Sequence, residues 1–215
     1  MLQSLLMTPD TAVTYPGPEI LAPLLAESSA RHRHLCPRQV LGARMGLLGL
    51  RVLGFIEPDY LPRFDNEKKR LLTIIETDGC GASGVAAATD CHVGRRTLRV
   101  LDYGKMAITM VDTRTEQAVR IIPRLDVRES VYRYAPDARS HWHAYLEGYQ
   151  IMPDGELLQA QPVVLTQSIT EIISRPGVRV NCEICGEEII NEREIIQDGR
   201  LLCRHCAGDV YFRRI

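Results

Sequence analysis

The strongest constraint on the fold of this chain is a pair of Cys-x-x-Cys motifs near its C-terminus. Cys182 and Cys185 form the first motif, and Cys203 and Cys206 form the second after 17 intervening residues. Thiolates at this spacing are typical of a tetrahedral zinc site, because each motif supplies two ligands from a single turn. A segment of roughly 35 residues buries too little apolar surface to fold alone, so the motifs predict a structural zinc ion. The alternative is a pair of redox-active dithiols.

The residues around the motifs predict a small treble-clef or ribbon-like zinc module over residues 178–215. Gly186 follows the first motif, where a metal-binding turn needs an unhindered backbone. Asp198-Gly199 predicts a hairpin between the two motifs. Residues 181–215 contain seven acidic side chains and five arginines, and zinc with four thiolates adds further negative charge. The module is therefore expected to dock on protein rather than on nucleic acid.

The composition of the whole chain is that of an ordinary globular protein and argues against several classes of function. The 215 residues carry 26 basic and 27 acidic side chains, so no excess of positive charge favours nucleic acid. The longest apolar stretch, residues 40–56, contains Arg44 and Arg51, which argues against a membrane-spanning helix. The first 13 residues lack the basic run of a signal peptide, and a cytoplasmic location is expected.

The order of the predicted elements indicates an α+β fold, in which a mixed or antiparallel sheet packs against helices. We expect an N-terminal arm over residues 1–18 and an α+β domain over residues 19–172, ahead of the zinc module. Helices are predicted over residues 19–30, 37–53, 83–90 and 137–149. Strands are predicted over residues 71–77, 97–102, 106–112, 118–122 and 163–169. The three strands between residues 97 and 122 are expected to form an antiparallel meander.

The predicted helix over residues 37–53 has two unusual features. Cys36 precedes Pro37, which suits the first position of a helix and makes Cys36 its N-cap. Glycines at positions 42, 46 and 49 and an alanine at 43 allow another element to approach the helix backbone closely. We expect this small-residue face to contact a second copy of the chain, which predicts a homodimer.

The three remaining cysteines suggest a second metal site. Cys36 and Cys80 each lie just before a predicted helix, where the free N–H groups and the helix dipole favour a thiolate. His32 and His34 precede Cys36 closely, and imidazole with thiolate is a plausible ligand set for a transition metal. The alternative is that the cysteines, including Cys91, are small buried side chains and that the histidines are surface residues.

Four motifs follow one another along the chain, namely His32-Arg33-His34-Leu35-Cys36-Pro37-Arg38, Asp78-Gly79-Cys80, Cys91 and Asp102-Tyr103-Gly104-Lys105. In these motifs and their order, residues 19–125 resemble the family of FmdE, an accessory polypeptide of formylmethanofuran dehydrogenase, and its stand-alone relatives. Many members of this family also end in a zinc module. Arg33 and Arg38 depart from the family pattern, which usually has glycine at both positions.

The resemblance implies a metal-binding α+β homodimer with a second transition-metal ion, most simply zinc, held by His34, Cys36 and Cys80. It adds Cys91 as the next candidate ligand, and His32 as a ligand or as a neighbour that supports one. Three protein ligands leave one coordination position open, as in catalytic zinc sites. Cys36 and Cys80 are therefore the candidate catalytic residues.

Lys105 and several arginines extend this candidate site. Lys105, in the Asp-Tyr-Gly-Lys motif, either lies near the metal or is exposed on a tight turn. Arg33, Arg38 or Arg95 could hold the carboxylate or phosphate of an anionic ligand.

Three functions are compatible with these observations. The resemblance implies a metal-binding accessory protein of a molybdenum or tungsten pterin-dependent dehydrogenase, whose other subunits would be its partners. The second is a stand-alone metal- or thiolate-dependent enzyme that acts on a small anionic substrate. The third is a structural docking protein whose single metal is the C-terminal zinc. No catalytic serine motif, phosphate-binding loop or dinucleotide fingerprint occurs in the sequence, which leaves open whether the chain is an enzyme.

Overall fold

The computed structural model describes residues 15–30, 32–213 and 215, so most of the predicted N-terminal arm lies outside the described residues. The chain forms two units, one ending at Val164 and the other beginning at Leu165. The predicted α+β class is confirmed, because helices accompany a mixed sheet in the first unit and short hairpins surround four cysteines in the second. No described helix is long and apolar enough to cross a membrane.

The first unit contains a five-stranded sheet and the helices that pack with it. Its helices are α1 (Pro18–Ser29), α2 (Pro37–Val52), α3 (Cys80–Thr89), α4 (Val127–Ser130), α5 (His141–Ile151) and α6 (Asp154–Leu157). Its strands are β1 (Leu71–Ile75), β2 (Leu98–Val100), β3 (Ile108–Asp112), β4 (Ala118–Pro123) and β5 (Leu158–Val163). The second unit contains α7 (Ile169–Ile173), β6 (Arg179–Asn181), β7 (Glu188–Ile190), β8 (Ile195–Gln197) and β9 (Arg200–Leu202).

The sheet of the first unit has the strand order β2-β1-β3-β4-β5. The predicted antiparallel pairing of β3 with β4 is confirmed, with Met110 opposite Val119. The meander prediction is wrong for β2, which pairs in parallel with β1 and places Leu98 opposite Thr73. A parallel pair needs a crossover connection, and α3 lies in the segment between β1 and β2.

Several other element boundaries differ from the predictions, and the helix predicted over residues 137–149 spans His141–Ile151. The strand predicted over residues 163–169 is wrong, because β5 ends at Val163, where it pairs with Ala118. Pro162 weakens the strand pattern but is tolerated because β5 is an edge strand. Helix α3 begins at Cys80, three residues before the predicted start, after Gly79 reverses the chain with a φ of +79° that favours glycine.

Helix α2 is enclosed by the rest of the first unit. Every residue from Gln39 to Leu50 is buried. Its glycines allow backbone contact with α3 of the same chain, since a Cβ added at Gly42 would lie 2.3 Å from the carbonyl oxygen of Gly81. The argument that this face contacts a second copy is therefore wrong, because α3 already occupies it. The homodimer itself stays a prediction.

A buried ionic group fastens α2 to the segment around the end of α5. The fully buried Arg44 donates hydrogen bonds to the carbonyl oxygens of Tyr149 and Met152, each at 2.6 Å. It also donates to Oδ1 of Asp154 at 2.8 Å, and the Tyr60 hydroxyl donates to Oδ2 of Asp154 at 2.5 Å. Burial and the adjacent carboxylate raise the pKa of Tyr60, so its hydroxyl remains a proton donor.

Candidate metal centres

The four C-terminal cysteines come together in the second unit. Four sulfur atoms lie within 4.8 Å of one another, those of Cys182, Cys185, Cys203 and Cys206. We call this set the C-terminal cysteine cluster. The segment between its two motifs folds into strands, and Asp198 and Gly199 form the turn between β8 and β9 with positive φ angles. The hairpin predicted at Asp198-Gly199 is confirmed.

Each motif forms a tight turn that points its two sulfurs to the same side. Gly186 donates to the carbonyl oxygen of Cys182 at 2.9 Å and has a φ of +75°, which favours glycine. The second turn repeats the pattern, because Ala207 donates to the carbonyl oxygen of Cys203 at 2.9 Å. Each turn brings together the two cysteines of one motif. The two turns also lie close to each other, although 17 residues separate the motifs in the sequence.

The C-terminal cysteine cluster fits zinc by both chemistry and size. Four thiolates are the ligands of a closed structural site, and a tetrahedron with zinc–sulfur bonds of about 2.3 Å has sulfur–sulfur edges of roughly 3.8 Å. The sulfurs of Cys185 and Cys203 lie 3.8 Å apart. Backbone N–H groups of Cys185 and Cys203 lower the pKa of Cys182 to about 6, whereas burial and neighbouring thiols raise that of Cys206 to about 12. Zinc binding therefore displaces protons from part of the cluster.

The apolar core of the second unit is too small to hold the fold without a metal. Its buried residues are Cys182, Ile189 and Leu202, and the other three cysteines are among the residues packed against them. The cysteines themselves make up much of this core. A zinc ion bound by them would therefore supply folding free energy that a larger domain obtains from apolar burial.

The first unit brings Cys36 and Cys80 together. Cys36 is the N-cap of α2, as predicted, and its backbone N–H donates to the side-chain oxygen of Gln39 at 2.8 Å. Cys80 is the first residue of α3, and its thiol lies close enough to that of Cys36 for the two to affect each other's protonation. The two helices run in the same direction, because Gly42 meets Gly81 near their starts and Gly46 meets Ala88 further along. Both helix starts consequently lie beside the thiols.

The histidines that precede Cys36 have partners other than the thiols. Nε2 of His32 lies 3.0 Å from the hydroxyl of Ser83 in α3. The ring of His34 packs edge-to-face against Trp142 in α5, with ring centroids 6.3 Å apart. Among the described residues, the C-terminal cysteine cluster is the one group with three or more ligand atoms this close together. The structure thus places Cys36 near Cys80. His34 is only two residues from Cys36 in the sequence, but its ring packs against Trp142 rather than against the thiols.

The protonation of Cys80 differs from the expectation for a helix start. Burial raises the pKa of the Cys80 thiol, and the nearby Cys36 thiol raises it further. The positive charge of Arg38 acts in the opposite direction. The expectation that Cys80 is a thiolate near neutral pH is therefore wrong for the metal-free chain, because desolvation outweighs the arginine.

Cys91 occupies a polar niche inside the core. Its sulfur accepts hydrogen bonds from the side-chain amide of Asn66 at 3.3 Å and from the hydroxyl of Thr73 at 3.4 Å. Its side chain is fully buried, and burial raises the pKa of its thiol. These contacts give Cys91 a structural role next to the start of β1, apart from the Cys36–Cys80 pair.

Two of the predicted auxiliary residues have other surroundings. Lys105 is exposed on a tight turn in which Gly104 donates to Oδ1 of Asp102 at 3.0 Å, and no described contact joins Lys105 to either thiol. The guanidinium of Arg95 donates to Asp90 at 2.6 Å and to the carbonyl oxygen of Asn66 at 2.8 Å. Arg95 is thus engaged near Cys91.

Trp142 and Ser83 lie beside the candidate site and were not identified from the sequence. Ser83 lies three residues after Cys80, one turn further along the same helix, so its helical spacing could have identified it. Trp142 is distant in sequence from both cysteines and reaches His34 through the packing of α5 on α2. No local sequence pattern carries that information.

The fold and the cysteine arrangement define a two-part protein, an α+β unit with a thiol pair followed by a four-cysteine zinc module. The family model for FmdE, "Molybdenum formylmethanofuran dehydrogenase operon", matches residues 31–159, more than half of the chain. The chain belongs to this FmdE family. The model for the prokaryotic dksA/traR C4-type zinc finger matches residues 176–212, which include the whole C-terminal cysteine cluster. The match and the cluster together support a structural zinc ion.

Two individual proteins are similar to this chain. A probable S-adenosyl-L-methionine-binding protein of Archaeoglobus fulgidus is 29% identical over 206 residues, an alignment that covers 89% of this chain. The chain spans about half of that relative's length (54%). The crystal structure of a tungsten formylmethanofuran dehydrogenase FmdE-like protein from Syntrophus aciditrophicus superimposes with a TM-score of 0.58 and 20% identity. That match covers 96% of this chain and 100% of the other, and it supports the fold.

Proposed function

We propose that this chain is a metal-binding accessory protein of a molybdenum or tungsten pterin-dependent dehydrogenase of the formylmethanofuran type. In this proposal, Cys36, Cys80 and His34 hold a second transition-metal ion, most simply zinc. The proximity of the Cys36 and Cys80 thiols carries the proposal, because the packed starts of two separate helices bring two soft ligands close together. The family match over residues 31–159 supports the link to the dehydrogenase.

The proposed third ligand is His34. It lies two residues before Cys36, and its ring is exposed, so it can turn from Trp142 toward the thiols without disturbing the core. The sulfurs and the imidazole would leave one position for water or for a group of a partner or substrate. A metal ion there would supply Lewis acidity. Arg38 lies close enough to lower the pKa of Cys80 and would favour the thiolate form that a metal requires.

Metal analysis of the purified full chain tests the second site directly. We expect two metal ions per chain in the wild type and one in the double variant Cys36→Ser, Cys80→Ser. The single variant Cys91→Ser is the matched control, because its buried thiol lies apart from the pair, and it should retain both ions. A double variant that keeps the full metal complement would show that no metal binds at these cysteines.

The accessory role has a separate test. The chain should co-purify with pterin-dependent dehydrogenase subunits from the cells that make it. Turnover of a substrate by the purified chain alone would contradict an accessory role and support the stand-alone enzyme.

A stand-alone protein that binds a small charged molecule is the second candidate function. It is favoured by the likeness to the probable S-adenosyl-L-methionine-binding protein and by the exposed Arg38 near Cys80, which could bind the carboxylate of such a molecule. Equilibrium dialysis of the pure chain with S-adenosyl-L-methionine tests it. Saturable binding that Arg38→Gln weakens would support this candidate, and absence of binding at millimolar concentration would exclude it.

A homodimer is the proposed assembly. Exposed apolar side chains on and after the edge strand β2 favour it, namely Val100, Leu101 and Tyr103. Sedimentation at micromolar concentration should give twice the chain mass, and Leu101→Lys should shift the protein to the monomer. A wild-type chain that sediments as a monomer would refute the dimer.

A further inference from the structure

We propose that Trp142, flanked by His143, forms an aromatic wall beside the Cys36–Cys80 pair, and that this wall binds a planar heteroaromatic ring carrying an anionic group. A mononucleotide is the simplest molecule with this chemistry. The inference rests on the proposed function in taking the thiol pair as the working site, but it requires no metal there.

Trp142 is positioned as a binding surface rather than as a core residue. It is the second residue of α5 and is 40% exposed, although it is the largest apolar side chain near the site. His34 and His143 both meet its ring at steep angles, with centroids 6.3 Å and 4.9 Å away. No ring among the described residues is stacked in parallel on the indole, so its exposed part is available to a planar ligand.

The neighbouring histidine is held in place by the start of α5. Oγ of Ser140 lies 2.7 Å from Nδ1 of His143, and Nε of Arg139 donates to Nε2 of His143 at 2.7 Å. Both ring nitrogens of His143 are thereby occupied, and its ring supports one side of Trp142. The wall is therefore preorganised, which reduces the entropy lost when a ligand binds.

The wall lies next to the thiol pair because one short segment connects them. His34 packs against Trp142, and two residues later Cys36 lies at the start of the helix whose packing brings it near Cys80. His32 holds the same segment against α3 through Ser83. A ligand on Trp142 would consequently lie near the segment that carries Cys36.

The charges around the wall favour an anion. Residues 28–56 contain no acidic side chain, and they include the exposed Arg33 and Arg38 on either side of the His34–Cys36 segment. Neither guanidinium has an ion-pair partner among the described residues, in contrast to Arg95. An arginine free of carboxylate partners is suited to a phosphate or carboxylate, which it can bind through two N–H groups.

Adenosine 5′-monophosphate is the probe for this inference, with adenosine and inorganic phosphate as partial ligands. Trp142 is the one tryptophan of the chain, so its fluorescence reports directly on the wall. Adenosine 5′-monophosphate should quench this fluorescence saturably, adenosine should do so more weakly, and phosphate should leave it unchanged. Absence of saturable quenching at millimolar nucleotide would overturn the proposal.

Calorimetry of variants separates the contribution of stacking on Trp142 to the nucleotide affinity from the contribution of the charge of Arg38. Trp142→Leu should weaken nucleotide binding about tenfold or more, whereas Trp142→Phe should retain most of it. Arg38→Gln should weaken binding of the nucleotide but not of adenosine. Tyr211→Leu, which removes an exposed aromatic ring from the second unit, is the control and should bind as the wild type does. Equal nucleotide affinity of the wild type and Trp142→Leu would refute the wall.

The outcomes distinguish this proposal from the metal proposal. Full metal content in the Cys36→Ser, Cys80→Ser variant would refute the second metal and leave the fluorescence titration to decide on the wall. Loss of one metal ion together with absence of nucleotide quenching would support the metal site and refute the wall.

Discussion

Substitution of Gly84 by alanine tests the backbone contact that sets the position of both thiols. A Cβ at Gly84 would lie 2.1 Å from the carbonyl oxygen of Gln39 and 2.9 Å from the backbone nitrogen of Ala43. Both neighbours are backbone atoms of α2 and cannot rotate away. The closest contact must therefore grow from 2.1 Å to more than 3.0 Å by movement of one helix away from the other.

The expected loss of stability follows from two opposing effects. Overpacking costs about 1–3 kcal/mol, and the upper part of that range applies because a backbone must move. Alanine in place of glycine inside a helix returns up to about 1 kcal/mol. The net expectation is a loss of about 2 kcal/mol, which lowers Tm by roughly 4–8 °C for a chain of this size.

Thermal unfolding followed by circular dichroism measures this loss. Gly94→Ala is the matched control, because a Cβ there meets no atom within 4 Å, and its Tm should equal that of the wild type. The reactivity of Cys80 toward a thiol reagent should also increase in Gly84→Ala, since separation of the helices parts it from Cys36. A Gly84→Ala variant that unfolds at or above the wild-type temperature would show that α2 and α3 are not in backbone contact.

Three further predictions concern other parts of the chain. Removal of metal by a chelator should make the chain sensitive to proteases after residue 164 while the first unit stays resistant, because the second unit has few buried apolar side chains; equal protection with and without chelator would contradict this. Asp154→Asn should lower the free energy of unfolding by about 3–5 kcal/mol, because it leaves the buried Arg44 cation without its carboxylate; urea unfolding measures the change, and wild-type stability would refute it. Hydrogen bonds from Arg120 lower the pKa of Glu76, so this pair stabilises the fold above the ordinary carboxyl pKa and the contribution is lost as pH falls through the lowered value. Arg120→Gln should therefore flatten the acid side of a stability–pH profile, and an unchanged profile would disprove the assignment.

The sequence was most informative where a structure depends on neighbouring residues. Cys36 before Pro37 predicted the start of α2, and Asp198-Gly199 predicted the turn between β8 and β9. The C-terminal cysteine cluster was predictable because each pair of ligands lies on one short turn. The apolar and β-branched run over residues 71–77 likewise identified the interior strand β1, which spans Leu71–Ile75.

Long-range packing accounts for the features that the sequence did not predict. Strand β2 has only three residues, and nothing within them indicates a parallel partner on the far side of α3. The glycines of α2 indicated a close helix contact, but residue type alone does not distinguish α3 from a second chain. The contact of Trp142 with His34 joins residues more than a hundred positions apart and depends on where α5 packs.

The burial of α2 affects how long the proposed metal ion would remain bound at Cys36 and Cys80. Amide groups of a helix with no exposed residue between Gln39 and Leu50 exchange with solvent only when most of the unit opens. Cys36 caps this helix, and Cys80 begins the helix packed against it. The two thiols therefore lie at the edge of a slowly opening part of the molecule. If an ion binds there as proposed, it would leave mainly by breaking its own bonds, so coordination chemistry rather than opening of the protein would set its residence time.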